Sequence, residues 1–512
     1  MKHPPPANGC LFARRQLAAF ASVVSLLLAL SSDREARGSE QPASMRRIAT
    51  VDARFQSYNI EMVEVTGGRF WKPYAKQESA AQADRDLYAY RPPIDLGNAK
   101  LRRLAAALSP AYLRVSGTWA NSTYFADSDT APPAGFDGVL TRAMWRGVVD
   151  FARAVDARIV TSFAVSPGAR DASGVWSTGQ AQRLLAYTSA LHGRIAAVEF
   201  MNEPTLAAQN GAPPGYDAAA YGRDFRIFRA FVKHASPGTL IAGPGSVGES
   251  SSGPPFGLTT SDLLAASGRG VDVFSYHFYA TVSQRCGGHD TADEVLSDEW
   301  LSRTERSLTF YRALRDQFEP GKPLWLSETA DAACGGNKWD ASFVDSFRYL
   351  DQLGRLARDG VQVVMHNTLA ASDYGLLDET TFNPRPSYWA ALLWHRLMGQ
   401  VVLDPGLSRE PDLHVYAHCH PRARGGVSIL VINTSRNMAH TLVLPIASER
   451  YMLQAAELES RTVELNGTAL SMDSKGDLPE IAGKHLPAGV ATFAPTTITF
   501  LAIPAADNRA CR

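Results

Sequence analysis

"VEFMNEPT", residues 198–205, changes character halfway along. Its first residues read as a buried strand, and then Asn202, Glu203 and Pro204 arrive in succession at the tip. An amide and a carboxylate at the end of an apolar strand are costly to bury without partners. The same pattern recurs to either side. Eight apolar, β-branched runs read as strands: "SYNIEMV" (57–63), "AYLRVSG" (111–117), "RIVTSFAV" (158–165), "VEFMNE" (198–203), "LIAGPG" (240–245), "VDVFSYHFY" (271–279), "PLWLSE" (323–328) and "VQVVMHN" (361–367). Helix-like stretches separate them. "LTRAMWRGVVDFARAV" (140–155) precedes the third run. "SFRYLDQLGRLARDG" (346–360) precedes the eighth, with Phe347, Leu350, Leu353 and Leu356 at helical spacing and Gly360 as a stop. Eight βα repeats predict parallel strands closing into an α/β (β/α)8 TIM barrel, whose strands are apolar because both faces are covered.

Beyond residue 398 the pattern changes. "LHVYAHC" (413–419), "GGVSILVINTS" (425–435), "HTLVLPI" (440–446) and "ATFAPTTITFLAIP" (491–504) alternate apolar with polar residues between Gly, Pro, Asn and Ser. This predicts a C-terminal antiparallel β-sandwich. The expected organisation is a catalytic barrel over 48–398 and a sandwich domain over 399–512. The segment 41–52, containing "RRIATVD", can add a strand to the sandwich.

At 512 residues the chain is long enough for a large barrel plus an accessory domain. Its 51 basic and 51 acidic residues cancel, which gives no global electrostatic reason to bind nucleic acid or a membrane surface. "FARRQLAAFASVVSLLLALSS" (12–32) has two arginines, an apolar run too short for a comfortable span, then small residues. Residues 1–38 are therefore expected to be a signal peptide, of Sec or twin-arginine type, and the protein to be periplasmic or secreted. No later stretch is apolar enough to span a bilayer. Of the five cysteines, Cys10 falls in the signal; Cys286, Cys334, Cys419 and Cys511 allow three pairings, and their spacing fits no zinc motif.

Active sites of such barrels lie at the C-terminal ends of the strands. Those ends offer Glu61, Ser116, Ser166, Asn202 with Glu203, His277 with Tyr279, Glu328, and His366 with Asn367. A lone strand-end Glu more often caps the following helix or pairs with an arginine such as Arg114. Two of them, after strands four and seven, face each other across the barrel mouth. Paired carboxylates are what glycosidic cleavage needs: one protonates the leaving oxygen, the other attacks the anomeric carbon or activates water. That chemistry needs no metal and no organic cofactor.

"FMNEP" (200–204) and "WLSETADAACGGN" (325–337) resemble the acid/base and nucleophile motifs of glycoside hydrolase family 79, the heparanase-like enzymes. The segments at 101–121, 351–369 and 374–399 are similar as well, so the resemblance covers nearly all of the chain after the signal. It implies a retaining endo-β-glucuronidase acting on heparan sulfate or heparin-like glycosaminoglycans, with an exo-acting β-glucuronidase on small glucuronides as the alternative. A non-catalytic glycan-binding protein ranks below both, because both carboxylates are present. The resemblance makes Glu203 the acid/base and Glu328 the nucleophile. It makes Asn202 a partner of the sugar 2-hydroxyl, Tyr279 a partner of the nucleophile, and Glu61 a holder of sugar hydroxyls. Gly335 and Gly336 would receive a uronic acid carboxylate on their backbone N–H groups, with Tyr374 beside them. His277 is either a substrate contact or a satisfied core histidine. The resemblance also pairs Cys419 with Cys511, which leaves Cys286 to Cys334.

Overall fold

The computed structural model describes residues 37–38, 41–74, 87–249, 257–407, 410–473 and 475–512. Eight parallel strands form its centre: β1 Gln56–Glu61, β2 Ala111–Ser116, β3 Ala157–Ser162, β4 Ile195–Glu199, β5 Leu240–Ser246, β6 Val273–Val282, β7 Leu324–Ala333 and β8 Val363–His366. They pair in sequence order, and β8 closes the barrel on β1 through Val364, Met365 and His366. The fold class expected from the sequence is the one observed. The fourth strand is shorter than its apolar run: β4 stops at Glu199, so Asn202 and Glu203 stand on the loop beyond it.

Alternation along each strand sorts the residues into two environments. Leu113 and Val115 of β2, Val198 of β4 and Phe274 and Tyr276 of β6 face the surrounding helices. Tyr112, Val160, Ala197, Val273, Trp325 and Met365 fill the lower barrel, where the Tyr112 and Trp325 rings sit 4.8 Å apart. One pleat higher, the inward set turns polar: Arg114 on β2, Glu199 on β4, Ser275 on β6, all buried. An apolar plug thus floors a polar chamber.

The C-terminal region is a nine-stranded sheet with a three-stranded one against it. The main strands of the larger sheet are β9 Val401–Leu403, β10 Leu413–Cys419, β11 Val427–Asn433, Ser448–Gln454 and Thr497–Ile503; Arg47–Thr50 adds to its edge beside β9. The smaller sheet pairs His440–Leu444 with Gly489–Phe493. Every residue of β11 is buried, which the pattern read over 425–435 leaves open. Both faces are in fact covered. Val427, Ile429 and Val431 pack towards the smaller sheet, and Leu430 and Ile432 pack with the barrel side.

The barrel side contributes two buried helices, α1 Phe343–Arg358 and α2 Pro386–Leu397. The helical spacing of Phe347, Leu350, Leu353 and Leu356 is matched, but α1 is buried almost all round rather than on one stripe. Gly354 permits a close approach to the sheet: a Cβ there would lie 2.5 Å from the Tyr416 ring.

Cys286 is bonded to Cys334 and Cys419 to Cys511. No helix among the described residues is long and apolar enough to cross a membrane. The signal-like stretch lies outside the described residues, apart from Arg37 and Gly38, which pair with Leu442 and Val443 of the smaller sheet.

Where α1 meets the sheet, the buried Asp351 carboxylate accepts from His414 Nδ1 at 2.6 Å, Tyr416 OH at 2.5 Å and Arg355 Nε at 2.6 Å. Burial disfavours charge on His414, but Asp351 outweighs it, and the imidazole is shifted upward from 6.5. Burial likewise opposes the Asp351 charge, and His414 and Arg355 overcome it, so that carboxyl is shifted downward. The histidine contribution is therefore complete below the ordinary histidine range and is lost as pH rises through the folded-state value. The aspartate contribution holds above the ordinary carboxylate range and is lost in strong acid. Urea unfolding at a series of pH values should show stability falling above the histidine range, and His414→Gln should flatten that limb.

Candidate active site

The polar chamber is organised around Arg114, which is 1% exposed. Its Nε donates to Glu199 Oε2 at 2.9 Å, its Nη1 to Glu328 Oε2 at 2.6 Å, and its Nη2 to Asn202 Oδ1 at 2.8 Å. Nη2 also lies 3.3 Å from His277 Nε2. A guanidinium can only donate, so it faces the lone pair of Nε2. The other ring nitrogen, Nδ1, then donates to Glu203 Oε1 at 3.1 Å.

Glu328 reaches this cluster through a bulge. Tyr276 pairs with Leu326 but His277 pairs with Glu328, so Ser327 is an extra residue on β7. Bulges re-aim side chains, and this one turns Glu328 inward beside His277. Its Oε1 accepts from Tyr279 OH at 2.7 Å. Burial pushes the Glu328 carboxyl up, while the Arg114 charge and the hydrogen bonds from Tyr279 and Arg114 draw it down, and the net shift is downward. Glu328 is thus held as an anion.

Glu203 sits at φ 47°, in the left-handed region. The following Pro204 disfavours the right-handed helical alternative. Strain of this kind, on the order of 1 kcal/mol or more, persists where surroundings over-determine it. Here His277 holds Oε1, and Asn210 Nδ2 donates to Oε2 at 3.2 Å. Asn121 fixes the loop by bonding the backbone of Asn202 in both directions. An oxygen of Glu203, one of Glu328 and a nitrogen of His277 all lie within 4.8 Å of one another. That spacing would suit a cation, but the Arg114 guanidinium already bonded to Glu328 opposes one.

The remaining residues singled out from the sequence divide. Glu61, at the end of β1, accepts from Asn367 Nδ2 at 3.1 Å, and Asn367 also donates to Tyr279 OH at 3.0 Å. Burial, followed by the charge of Glu328, pushes the Glu61 carboxyl well above the usual range. Gly335 and Gly336 have φ of 83° and 87°, a conformation that favours glycine. Their carbonyls accept from Ser372 OH and Ser283 OH, each at 2.8 Å. Tyr374 is buried, with its backbone N against Gly336. Three strand-end residues do structural work instead. Ser116 bonds Ser162, Ser166 bonds the Gly135 carbonyl, and His366 bonds the Tyr374 carbonyl.

Glu199 is absent from the sequence-based set, and Arg114 enters it only as a pairing partner. Their signal was an ionisable residue at an inward position of a strand apolar on both sides. An aromatic wall was also missed: Trp71 packs on Tyr88 at 4.6 Å and Trp119 on Phe70 at 5.0 Å, beside Tyr279 and Tyr374. Phe70, Trp71 and Tyr88 come from the hairpin of Gly68–Trp71 with Tyr88–Arg91, in which Phe70 alone is fully buried, and Trp119 from the 3-10 turn Thr118–Ser122. From His277 and Tyr279 a cleft of about 780 Å³ continues past Phe278 and His289.

Comparison with known proteins gives a consistent picture. The model for "Glycosyl hydrolase family 79, N-terminal domain" matches residues 94–354. Heparanase-like protein 1 of Arabidopsis thaliana is 26% identical, covering 91% of this chain and 93% of its own length. Heparanase of Mus musculus is 30% identical, covering 81% of this chain and 88% of its own length. Among solved structures, a 4-O-alpha-L-rhamnosyl-beta-D-glucuronidase from Fusarium oxysporum has a TM-score of 0.62 at 12% identity, over 92% of this chain and 99% of that one. At that identity the likeness is one of fold.

Arg114→Met removes the cation from between two buried carboxylates. Leaving such charges unpaired costs about 3–5 kcal/mol, to be read from urea unfolding. Adding Glu199→Gln should recover part of the loss.

Proposed function

Because the chain belongs to glycosyl hydrolase family 79, we propose that it is a retaining endo-β-glucuronidase acting on heparan sulfate or heparin-like glycosaminoglycans. In this proposal Glu328 attacks the anomeric carbon and forms a glycosyl-enzyme. Glu203 gives a proton to the leaving oxygen and then takes one from the water that releases the sugar. The carrying observation is the asymmetry of the two carboxylates. Glu328 is bonded to Arg114 and Tyr279 and shifted towards its ionised form, whereas the Glu203 carboxylate meets His277 and Asn210 and no cationic side chain among the described residues. Retention requires carboxyls about 5 Å apart, against roughly 6.5–9.5 Å for inversion; oxygens within 4.8 Å support the former.

The remaining roles follow the same geometry. Asn202, held by Arg114, is offered to the sugar 2-hydroxyl; Glu61 and Asn367 to further hydroxyls; Trp71 and Trp119 to a ring face. The backbone N–H groups of Gly335 and Gly336, flanked by Tyr374, are the proposed donors to a uronate carboxylate. The choice of a polymer over a small glucuronide rests on the likeness to the heparanase and heparanase-like relatives. Two disulfides suit an oxidising compartment and so support export.

Glu328→Gln keeps the shape and removes the attacking charge. Turnover of a glucuronic acid-containing substrate should fall by several orders of magnitude with the fold intact by circular dichroism. Near-normal turnover in the folded variant would refute the assignment. Proton NMR of the first-formed product should show the β-anomer.

Matched glucuronide and glucoside substrates should differ by orders of magnitude in kcat/KM. Comparable values would mean that the paired glycines are only a turn. Cleavage of chromogenic monosaccharide glucuronides with no chain shortening of the polymer would favour the exo-acting reading.

A further inference from the structure

Behind the Gly335–Gly336 turn lies a second acidic cluster, apart from the two glutamates of the barrel mouth. Asp331 projects from β7, Asp340 from the loop after it, and Asp345 from the first turn of α1. Their exposures are 2%, 3% and 3%. One carboxylate oxygen of each lies within 4.8 Å of the others.

Their neighbours neutralise only one of them. Arg348 grips Asp345 with two bonds, Nε to Oδ1 at 2.5 Å and Nη2 to Oδ2 at 3.1 Å, and Ser387 OH adds a third at 3.0 Å. Asp331 accepts from Asn337 Nδ2 at 3.1 Å, a bond that brings no charge. Neither oxygen of Asp340 has a donor among the described residues. The polar group it does meet is the Asp331 carboxylate. Asp340 is therefore a buried carboxylate aimed into other carboxylates. Such a group costs several kcal/mol unless something positive meets it. Burial and then repulsion from Asp331 push the Asp340 carboxyl well up.

We propose that Asp331, Asp340 and Asp345 bind one calcium ion beneath the Gly335–Gly336 turn. Three carboxylates and one guanidinium leave two negative charges, which a divalent cation balances. The donors are all oxygen, the preference of hard cations. Calcium–oxygen distances of about 2.3–2.6 Å let one ion touch oxygens up to roughly 5 Å apart, whereas magnesium needs a tighter octahedron at about 2.0–2.1 Å. The ion would fix the loop, because a Cβ on Gly336 would lie 2.3 Å from Asp340 Oδ2 and Asn337 ties the turn to Asp331. It would also cancel a negative charge directly behind the proposed carboxylate donors. That last consequence rests on the glucuronide proposal; binding of the ion does not.

The test uses the full chain, stripped with EDTA and titrated with calcium chloride alone. Calorimetry and elemental analysis after desalting should give one calcium per chain. Calcium should raise Tm by about 2–5 °C over the EDTA-treated protein. Asp340→Asn and Asp331→Asn should each lose the bound ion and the Tm response. If the two aspartates merely share a proton, the wild-type chain takes up no calcium, melts at one temperature in EDTA and in millimolar calcium, and the proposal fails. It fails equally if Asp340→Asn keeps full stoichiometry. Should a variant not fold, the wild-type comparison still decides. None of these readouts requires activity, so loss of the glucuronide proposal would leave them unchanged.

Discussion

One guanidinium sets the terms for the barrel mouth. Arg114 sits above an apolar plug with no solvent to share its charge, and it spends its donors on Glu199, Glu328 and Asn202 while facing His277. Each bond has a consequence one residue further on. Glu328 is kept ionised. Asn202 is turned to present its side chain from a fixed position. His277 is left with its Nδ1 proton directed at Glu203. Glu199 contributes no chemistry of its own in this scheme; it supplies the second negative charge that keeps the arginine in place. The cluster is expensive to bury and tolerable only because it is closed on itself.

The β7 bulge is the backbone counterpart of that constraint. With Ser327 in register, His277 would stand opposite a serine and Glu328 would point to the helices. An inserted residue therefore places a carboxylate where a regular strand would put a hydroxyl. The strained Glu203 has the same character: local geometry is unfavourable, and hydrogen bonds from Asn210 and His277 compensate. Rules of local structure fail at both glutamates, and both are functional candidates.

Much of this was legible in the sequence. All eight barrel strands appear as apolar runs, because parallel strands covered on both sides leave a continuous signal. Glu203 and Glu328 appear because two carboxylates end such runs, after strands four and seven, a pairing that capping a helix does not explain. The rest was hidden for physical reasons. Arg114 and Glu199 find each other across 85 residues, which no local pattern encodes. Asn121 acts from a short 3-10 turn and Asn210 from a loop, where polar residues attract no notice. Trp71 and Trp119 are partly buried aromatics on a short two-stranded hairpin and a single 3-10 turn, elements too short to show a burial pattern. The burial of both faces of β11 was invisible too, since "VSILVIN" reads the same whether its second face meets water or the side of a barrel.

That two-faced sheet bears on how the chain could have been assembled and how it could be taken apart. One set of β10 and β11 side chains belongs to the sandwich core, and the alternate set is shared with α1 and α2. Tyr416 and His414 reach across to Asp351 of α1. A seam of that kind is not a linker. Shuffling the C-terminal region onto another scaffold, or shortening a gene to its barrel, would strip a helix that evolved with almost no wet surface. Recombination between relatives would therefore have to exchange α1 together with the sheet it touches, so the heritable unit straddles the visible change of architecture.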